Sequence, residues 1–160
     1  MPSLRRTRLA LVVATGASVA LLAGCSSAAA PPSAAVSVTD AWARSSSAMA
    51  SAAAAYATIT NAGPTADALV GASSPAAATV EVHETVAMGS AAASGGAMMG
   101  MRPVARVEIP AGGSLQLKPG SYHVMLIGLA HDLVVGDTVD LTLTFEKAGQ
   151  ITVKAQVRAS

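Results

Sequence analysis

From Val36 onward the chain alternates apolar and polar residues in short runs, each closed by Gly, Pro, Asn or Asp, and no long stretch sustains a helical period. A two-residue period puts successive side chains on opposite faces of a strand, so each run has one face to bury. Many short strands separated by turn residues point to an all-β sandwich or barrel. The predicted strands are Val36 to Ala43, Ala55 to Asn61, Ala68 to Ala72, Thr79 to Thr85, Val104 to Ile109, Ser114 to Leu117, Tyr122 to Ile127, Thr138 to Phe145 and Ile151 to Arg158. Asn61-Ala62-Gly63-Pro64, Lys118-Pro119-Gly120 and Val135-Gly136-Asp137 supply turns. Trp42, Tyr56, Tyr122 and Phe145 are the only aromatic residues, so the core must be built from Val, Leu, Ile and Ala.

Two segments fit the alternation poorly. Ser45 to Ala55 is rich in alanine, the best helix former, but Tyr56, Thr58 and Thr60 then alternate with Ala57 and Ile59, so it is read as a loop leading into a strand. Ser90 to Gly96 holds only Ser, Ala and Gly and offers no core side chains, so a flexible insertion is assigned to residues 89–97.

The first thirty-odd positions stand apart from this pattern. Arg5, Arg6 and Arg8 precede an apolar run from Leu9 to Leu22, which is short for a membrane span but suits a secretory signal. The run closes on Leu21-Leu22-Ala23-Gly24-Cys25, which resembles a bacterial lipoprotein signal whose cysteine is lipidated and becomes the new N-terminus. Residues 1–24 are thus expected to be a signal peptide, 25–35 a lipidated cysteine and tether, and 36–160 a single domain. Acyl chains on Cys25, at about 0.8 kcal/mol per buried methylene, would hold the chain to the extracytoplasmic face of a membrane. Without the three leader arginines, seven basic residues face nine acidic ones, a net charge of −2. With no basic stripe to neutralise phosphates, nucleic acid is an unsuitable partner. The one cysteine lies in the leader region, which excludes a disulfide within the domain.

The chemistry-bearing residues are imidazoles and thioethers. In Tyr122-His123-Val124-Met125-Leu126, alternation projects His123 and Met125 to one face. Alone, this pair is commonly an edge imidazole beside a gap-filling thioether. His83, in Val80-Glu81-Val82-His83-Glu84, shares no face with Val80 and Val82 and on its own is a half-exposed strand residue. Met98, Met99 and Met101 sit in a Gly-containing polar stretch with no core to fill, read here as loop. Two imidazoles with two thioethers form a soft donor set that favours cuprous copper over zinc, calcium or magnesium.

His83-Glu84-Thr85-Val86, Met99-Gly100-Met101-Arg102-Pro103 and His123-Val124-Met125 after Lys118-Pro119-Gly120 resemble the signature of the PCu(A)C periplasmic copper chaperones. In that family a methionine precedes His-x-Met by 21 intervening residues, the spacing from Met101 to His123 here. The likeness extends over Asp40-Ala41-Trp42-Ala43-Arg44, Ala55 to Asn61, Gly71 to Pro75, Ile109 to Gly112 and Gly136 to Leu143. It implies a cupredoxin-like Greek-key β-sandwich, monomeric, binding one Cu(I) through His83, Met101, His123 and Met125. It also implies transfer of that ion to an apo-copper acceptor, such as the dinuclear copper centre of cytochrome c oxidase or another copper chaperone. Seventeen residues separate His83 from Met101, more than the family uses, and the surplus coincides with the Ser/Ala/Gly stretch. Met99, Met98 and Met88 are the alternates that this longer spacing admits.

A blue-copper electron-transfer site needs a cysteine thiolate, which the domain lacks. No nucleophile triad, P-loop or HExxH pattern is present, since His83-Glu84 runs on into Thr85, Val86 and Ala87, and no enzymatic activity is expected. His131 beside Asp132 is read as a turn residue. Only the histidines would compete with protons for the ion, so affinity should fall as pH drops through the ordinary imidazole range, roughly 6.5. A copper-sequestering resistance lipoprotein would use the same ligands, and a metal-free adhesion or assembly lipoprotein is the third expectation.

Overall fold

The computed structural model describes residues 35–88 and 98–159. The proposed signal peptide, Cys25, nearly all of the tether and the 89–97 insertion therefore lie outside the described residues, as do the side chains of Met88 and Met98. All strands belong to the unit Pro32–Ser160. They are β1 (Val36–Arg44), β2 (Ala52–Asn61), β3 (Asp67–Ser73), β4 (Ala77–Met88), β5 (Met98–Pro103), β6 (Val107–Ile109), β7 (Ser114–Leu117), β8 (Tyr122–Leu129), β9 (Thr138–Phe145) and β10 (Gly149–Arg158). The all-β expectation holds.

The strands hydrogen-bond in the order β5-β4-β8-β2-β1-β10-β9-β3-β6, with β7 also pairing to β2. The chain passes from β2 across to β3 beside β9 and then returns to β4 beside β8, the crossover habit of Greek-key sandwiches. β1 runs parallel to β10 and antiparallel to β2, which joins the two halves of the sheet. A bulge in β1 between Thr39 and Trp42, with Asp40 at φ 52°, sharpens the bend there. β3 then packs beside β4, bringing the halves face to face.

Alternation decides what fills the space between them. Val82 of β4, Val124 and Leu126 of β8, Ala55 and Ile59 of β2, and Leu141, Leu143 and Phe145 of β9 belong to one buried cluster. The core is aliphatic, as the shortage of aromatics requires.

Three sequence expectations need correction. Met98–Pro103 is not a loop but strand β5, held to β4 in the register Thr85↔Met101 and His83↔Pro103. Its glycine and methionines carry little strand propensity, and pairing with the extended edge of β4 overrides that weakness. The clamp is visible on the face away from His83, where Arg102 donates two hydrogen bonds to Glu84 Oε2 at 2.8 and 3.2 Å. Those bonds, helped by the Tyr122 hydroxyl, hold the Glu84 carboxyl below its ordinary value. Second, β2 begins at Ala52 rather than Ala55, after a short 3-10 turn at Ala48–Ala50. The alanines alternate like any strand, Ala53 and Ala55 facing the core while Ala54 opposes Met125 on the outer face. The strand predicted from Val104 is also shorter, since only Val107–Ile109 pairs.

Asp67, at the start of β3, fastens the β9–β10 turn. Its buried carboxylate accepts backbone N–H groups from Ala68 at 2.7 Å and from Lys147 and Ala148 at 2.9 Å. Burial works against the charge, yet these bonds and the nearby Lys147 charge outweigh it and lower the carboxyl below its ordinary 3.8. A lowered carboxylate stabilises the fold fully above its unfolded value, and that contribution is lost as pH falls through the folded one. Asp67→Ala should cost about 2 kcal/mol at neutral pH by stranding one buried and two part-buried donors. Urea denaturation at neutral and acidic pH checks this: Asp67→Asn should flatten the acid-side loss of stability, and an unchanged acid slope would contradict the assignment.

Candidate metal centre

The outer face of β5-β4-β8-β2 carries every described residue singled out for metal binding. His83 on β4 and His123 on β8 are register partners, and their ring centroids stand 6.0 Å apart. Met125 follows His123 by two residues and therefore shares its face. Met101 approaches from β5, with its Sδ 3.2 Å from His123 Nε2. Met99, Met101, His123 and Met125 line one cleft of about 400 Å³, whose floor includes Ala52 and Ala54. Small alanines there leave room that larger side chains would fill.

The hairpin register explains how a longer spacing still delivers Met101. β4 and β5 stay paired from His83↔Pro103 out to Met88↔Met98, and this register sets Met101 opposite Thr85. Strand pairing, rather than sequence separation, places the thioether. Met99 lies two residues along the same face and reaches the cleft but makes no contact with an imidazole nitrogen comparable to that of Met101. Met98 opens β5 and Met88 closes β4.

Burial is graded across the cluster. His123 is 3% exposed and Met101 62% exposed. His123 packs near Tyr56, which in turn stacks on Trp42 with ring centroids 4.4 Å apart. His123 is therefore fixed against the sheet, His83 is half-buried, and Met101 stands at the rim.

The turn Lys118–Ser121 interrupts what would otherwise be one strand. β7 and β8 both pair with β2, Leu117 opposite Ala57 and Val124 opposite Ala55, and the turn bulges out between them. Gly120, at φ 76°, takes a left-handed conformation that a side chain would strain. The bulge leaves the Ser121 carbonyl free to accept from the Thr85 N–H and hydroxyl, both at 3.2 Å, and it lies 3.0 Å from His123 Nδ1. A carbonyl only accepts, so in the neutral ring Nδ1 carries the proton and Nε2 the lone pair. That lone pair faces the Met101 sulfur, so two electron-pair donors stand 3.2 Å apart. With metal–nitrogen and metal–sulfur bonds of about 2.0 and 2.3 Å, two ligands of one tetrahedral ion stand roughly 3.5 Å apart. The pair is set like two ligands of one ion.

His83 adds a second open acceptor. Its Nε2 lies 2.9 Å from Glu81 Oε2, while Nδ1 is buried and has no hydrogen-bond partner. His83 does not line the cleft, but its ring stands beside that of His123, and its orphaned buried nitrogen is an acceptor that suits a soft cation. Among the described residues no three His, Cys, Asp or Glu side chains cluster as a harder metal would require. His131 is exposed, contacts the Asp132 carbonyl and stays out of the cleft lining. Sequence reading missed Glu81 and Ser121, because only the register and the bulge bring them to the imidazoles.

Residues 36–157 match the family model described as "Putative lipoprotein LpqE-like". A relative from Leifsonia xyli subsp. xyli (strain CTCB07), "Putative lipoprotein Lxx21020", is 36% identical over 105 residues, 66% of this chain and 60% of that relative's length. The copper-bound PCuAC domain from PmoF2 superposes with a TM-score of 0.63 at 25% identity, covering 79% of this chain and 94% of that domain. The solution structure of CuI-DR1885 from Deinococcus radiodurans gives 0.56 at 34% identity, covering 77% of this chain and 79% of its own. Among the described residues no helix is long and apolar enough to cross a membrane. With its sandwich matching those of PCuAC domains and the family model covering nearly every described residue, the chain belongs to the LpqE-like family.

Proposed function

We propose that this protein is an extracytoplasmic copper chaperone whose cleft carries one Cu(I) as cargo on His83, Met101, His123 and Met125. The observation that carries the reading is His123 Nε2 standing 3.2 Å from the Met101 sulfur while Nδ1 lies 3.0 Å from the Ser121 carbonyl. The orphaned Nδ1 of His83 and the donor chemistry support it, since two thioethers and two neutral imidazoles suit a soft monovalent ion. The likeness to copper-bound PCuAC domains points the same way.

Delivery is favoured over storage by the graded burial. An acceptor can reach the exposed Met101 first, while the buried His123 and the half-buried His83 retain the ion until a second donor arrives. The acceptor on this reading is an apo-copper site such as the dinuclear centre of cytochrome c oxidase or a second chaperone. A lipid on Cys25 would keep the exchange at the membrane surface, in line with the lipoprotein names of the family and the Leifsonia relative.

Competition titration against a chromophoric Cu(I) chelator tests the reading. One tightly bound ion per chain, passed on to an apo-acceptor faster than it dissociates into chelator-free buffer, is expected. A chain that binds no Cu(I) tightly would leave only the adhesion or assembly role, and tight binding without transfer would favour sequestration.

A further inference from the structure

We propose that Glu81 and the Ser121 carbonyl lock the two imidazoles in opposite tautomers, so that His83 offers Nδ1 and His123 offers Nε2 to the cargo ion. This rests on the copper reading and assigns a positioning residue, Glu81, that the ligand set does not contain. The chemistry is one of proton placement. A neutral imidazole holds a single N–H, and whichever nitrogen faces an acceptor keeps it. Ser121 O, 3.0 Å from Nδ1, takes that hydrogen on His123. Glu81 Oε2, 2.9 Å from Nε2, takes it on His83. The lone pairs left over are then on His123 Nε2, which faces Met101, and on His83 Nδ1, which is buried and without a partner.

Glu81 stands two residues before His83 on the same strand face and opposite Met125 on β8, so the sheet itself holds its carboxylate at the ring. Its side chain is 43% exposed against 13% for His83, which places the carboxylate on the solvent side of the imidazole. A hard carboxylate is a poor direct ligand for a cuprous ion. Behind the imidazole it fixes ring orientation and raises the basicity of the opposite nitrogen, as outer partners of metal-bound histidines do. The two rings use different means to the same end. His123 relies on backbone, presented by the Lys118–Ser121 bulge, and His83 on a side chain that can be mutated alone.

Long-range proton–nitrogen NMR on the chain labelled with 15N-histidine reads the tautomers without any metal. In the metal-free protein His83 should show the Nε2–H form and His123 the Nδ1–H form. Adding Cu(I) should then move the nitrogen resonance of Nδ1 in His83 and of Nε2 in His123. Glu81→Ala should release the His83 tautomer and lower Cu(I) affinity about 10- to 100-fold. Glu81→Gln keeps an acceptor oxygen, so it should retain the tautomer and recover most of the lost affinity.

Coordination of His83 through Nε2, or an Ala variant with unchanged tautomer and affinity, would overturn the assignment while leaving the copper reading intact. So would a Gln variant as weak as the Ala variant, since the effect would then be one of charge alone. A chain that binds no Cu(I) removes the copper reading and the role of Glu81 together. The tautomers of the unmutated chain decide the geometry whether or not either variant folds.

Discussion

His123→Ala should abolish tight Cu(I) binding, with a loss exceeding the roughly 100-fold that even outer partners of a metal site cost. The residue supplies one imidazole nitrogen and also the surface against which the Met101 sulfur rests, so its removal opens the cleft on two sides. The fold should survive, because the core side of β8 is built by Val124 and Leu126 on the opposite face. Thermal melts separate these effects. Ligand at about 100 times its dissociation constant stabilises a native protein by about 2.7 kcal/mol. The unmutated chain should therefore melt higher with Cu(I), whereas the alanine variant should melt at its metal-free temperature with or without the ion. A variant that still gained stability from Cu(I) would remove His123 from the ligand set.

Met101→Leu should weaken Cu(I) binding at least tenfold, while Met99→Leu changes it little. Leucine nearly conserves the volume of methionine, so the substitution removes a sulfur donor with little disturbance of packing. The distinction rests on the β4–β5 register, which sets Met101 opposite Thr85 with its sulfur at His123, and Met99 two pairs farther out along the hairpin. Both thioethers are equally exposed, at 62%, so exposure does not separate them. Chelator competition on the two variants checks the ranking. Equal losses would mean that the ion moves between sulfurs, and a larger loss at Met99 would reverse the assignment.

Much of the sandwich was readable because alternation directly encodes which face of a strand is buried. His123 and Met125 could be placed on one face from their spacing alone, and both line the cleft. Strand partners are a different matter. That His83 opposes His123 depends on pairing between segments forty residues apart, and nothing local encodes it. Taken singly, each histidine had a bland reading, and family likeness was what assembled the four.

β5 escaped notice because glycine and methionine signal neither strand nor core. Its conformation is imposed by β4 and by the Glu84–Arg102 clamp. Ala52–Ala54 was hidden by a composition suited to helix, although pairing with β8 holds it extended. Glu81 and Ser121 carried no motif at all. Their roles arise from a register and a backbone bulge, which exist only once the chain has folded.

X-ray absorption at the copper edge of the Cu(I)-loaded protein tests the central claim most directly. The account predicts two nitrogen neighbours near 2.0 Å and two sulfur neighbours near 2.3 Å, about the distances zinc keeps to imidazole nitrogen and to sulfur. Met101→Leu should reduce the sulfur count by one. A first shell of nitrogen and oxygen alone, or a sulfur count untouched by that substitution, would contradict it.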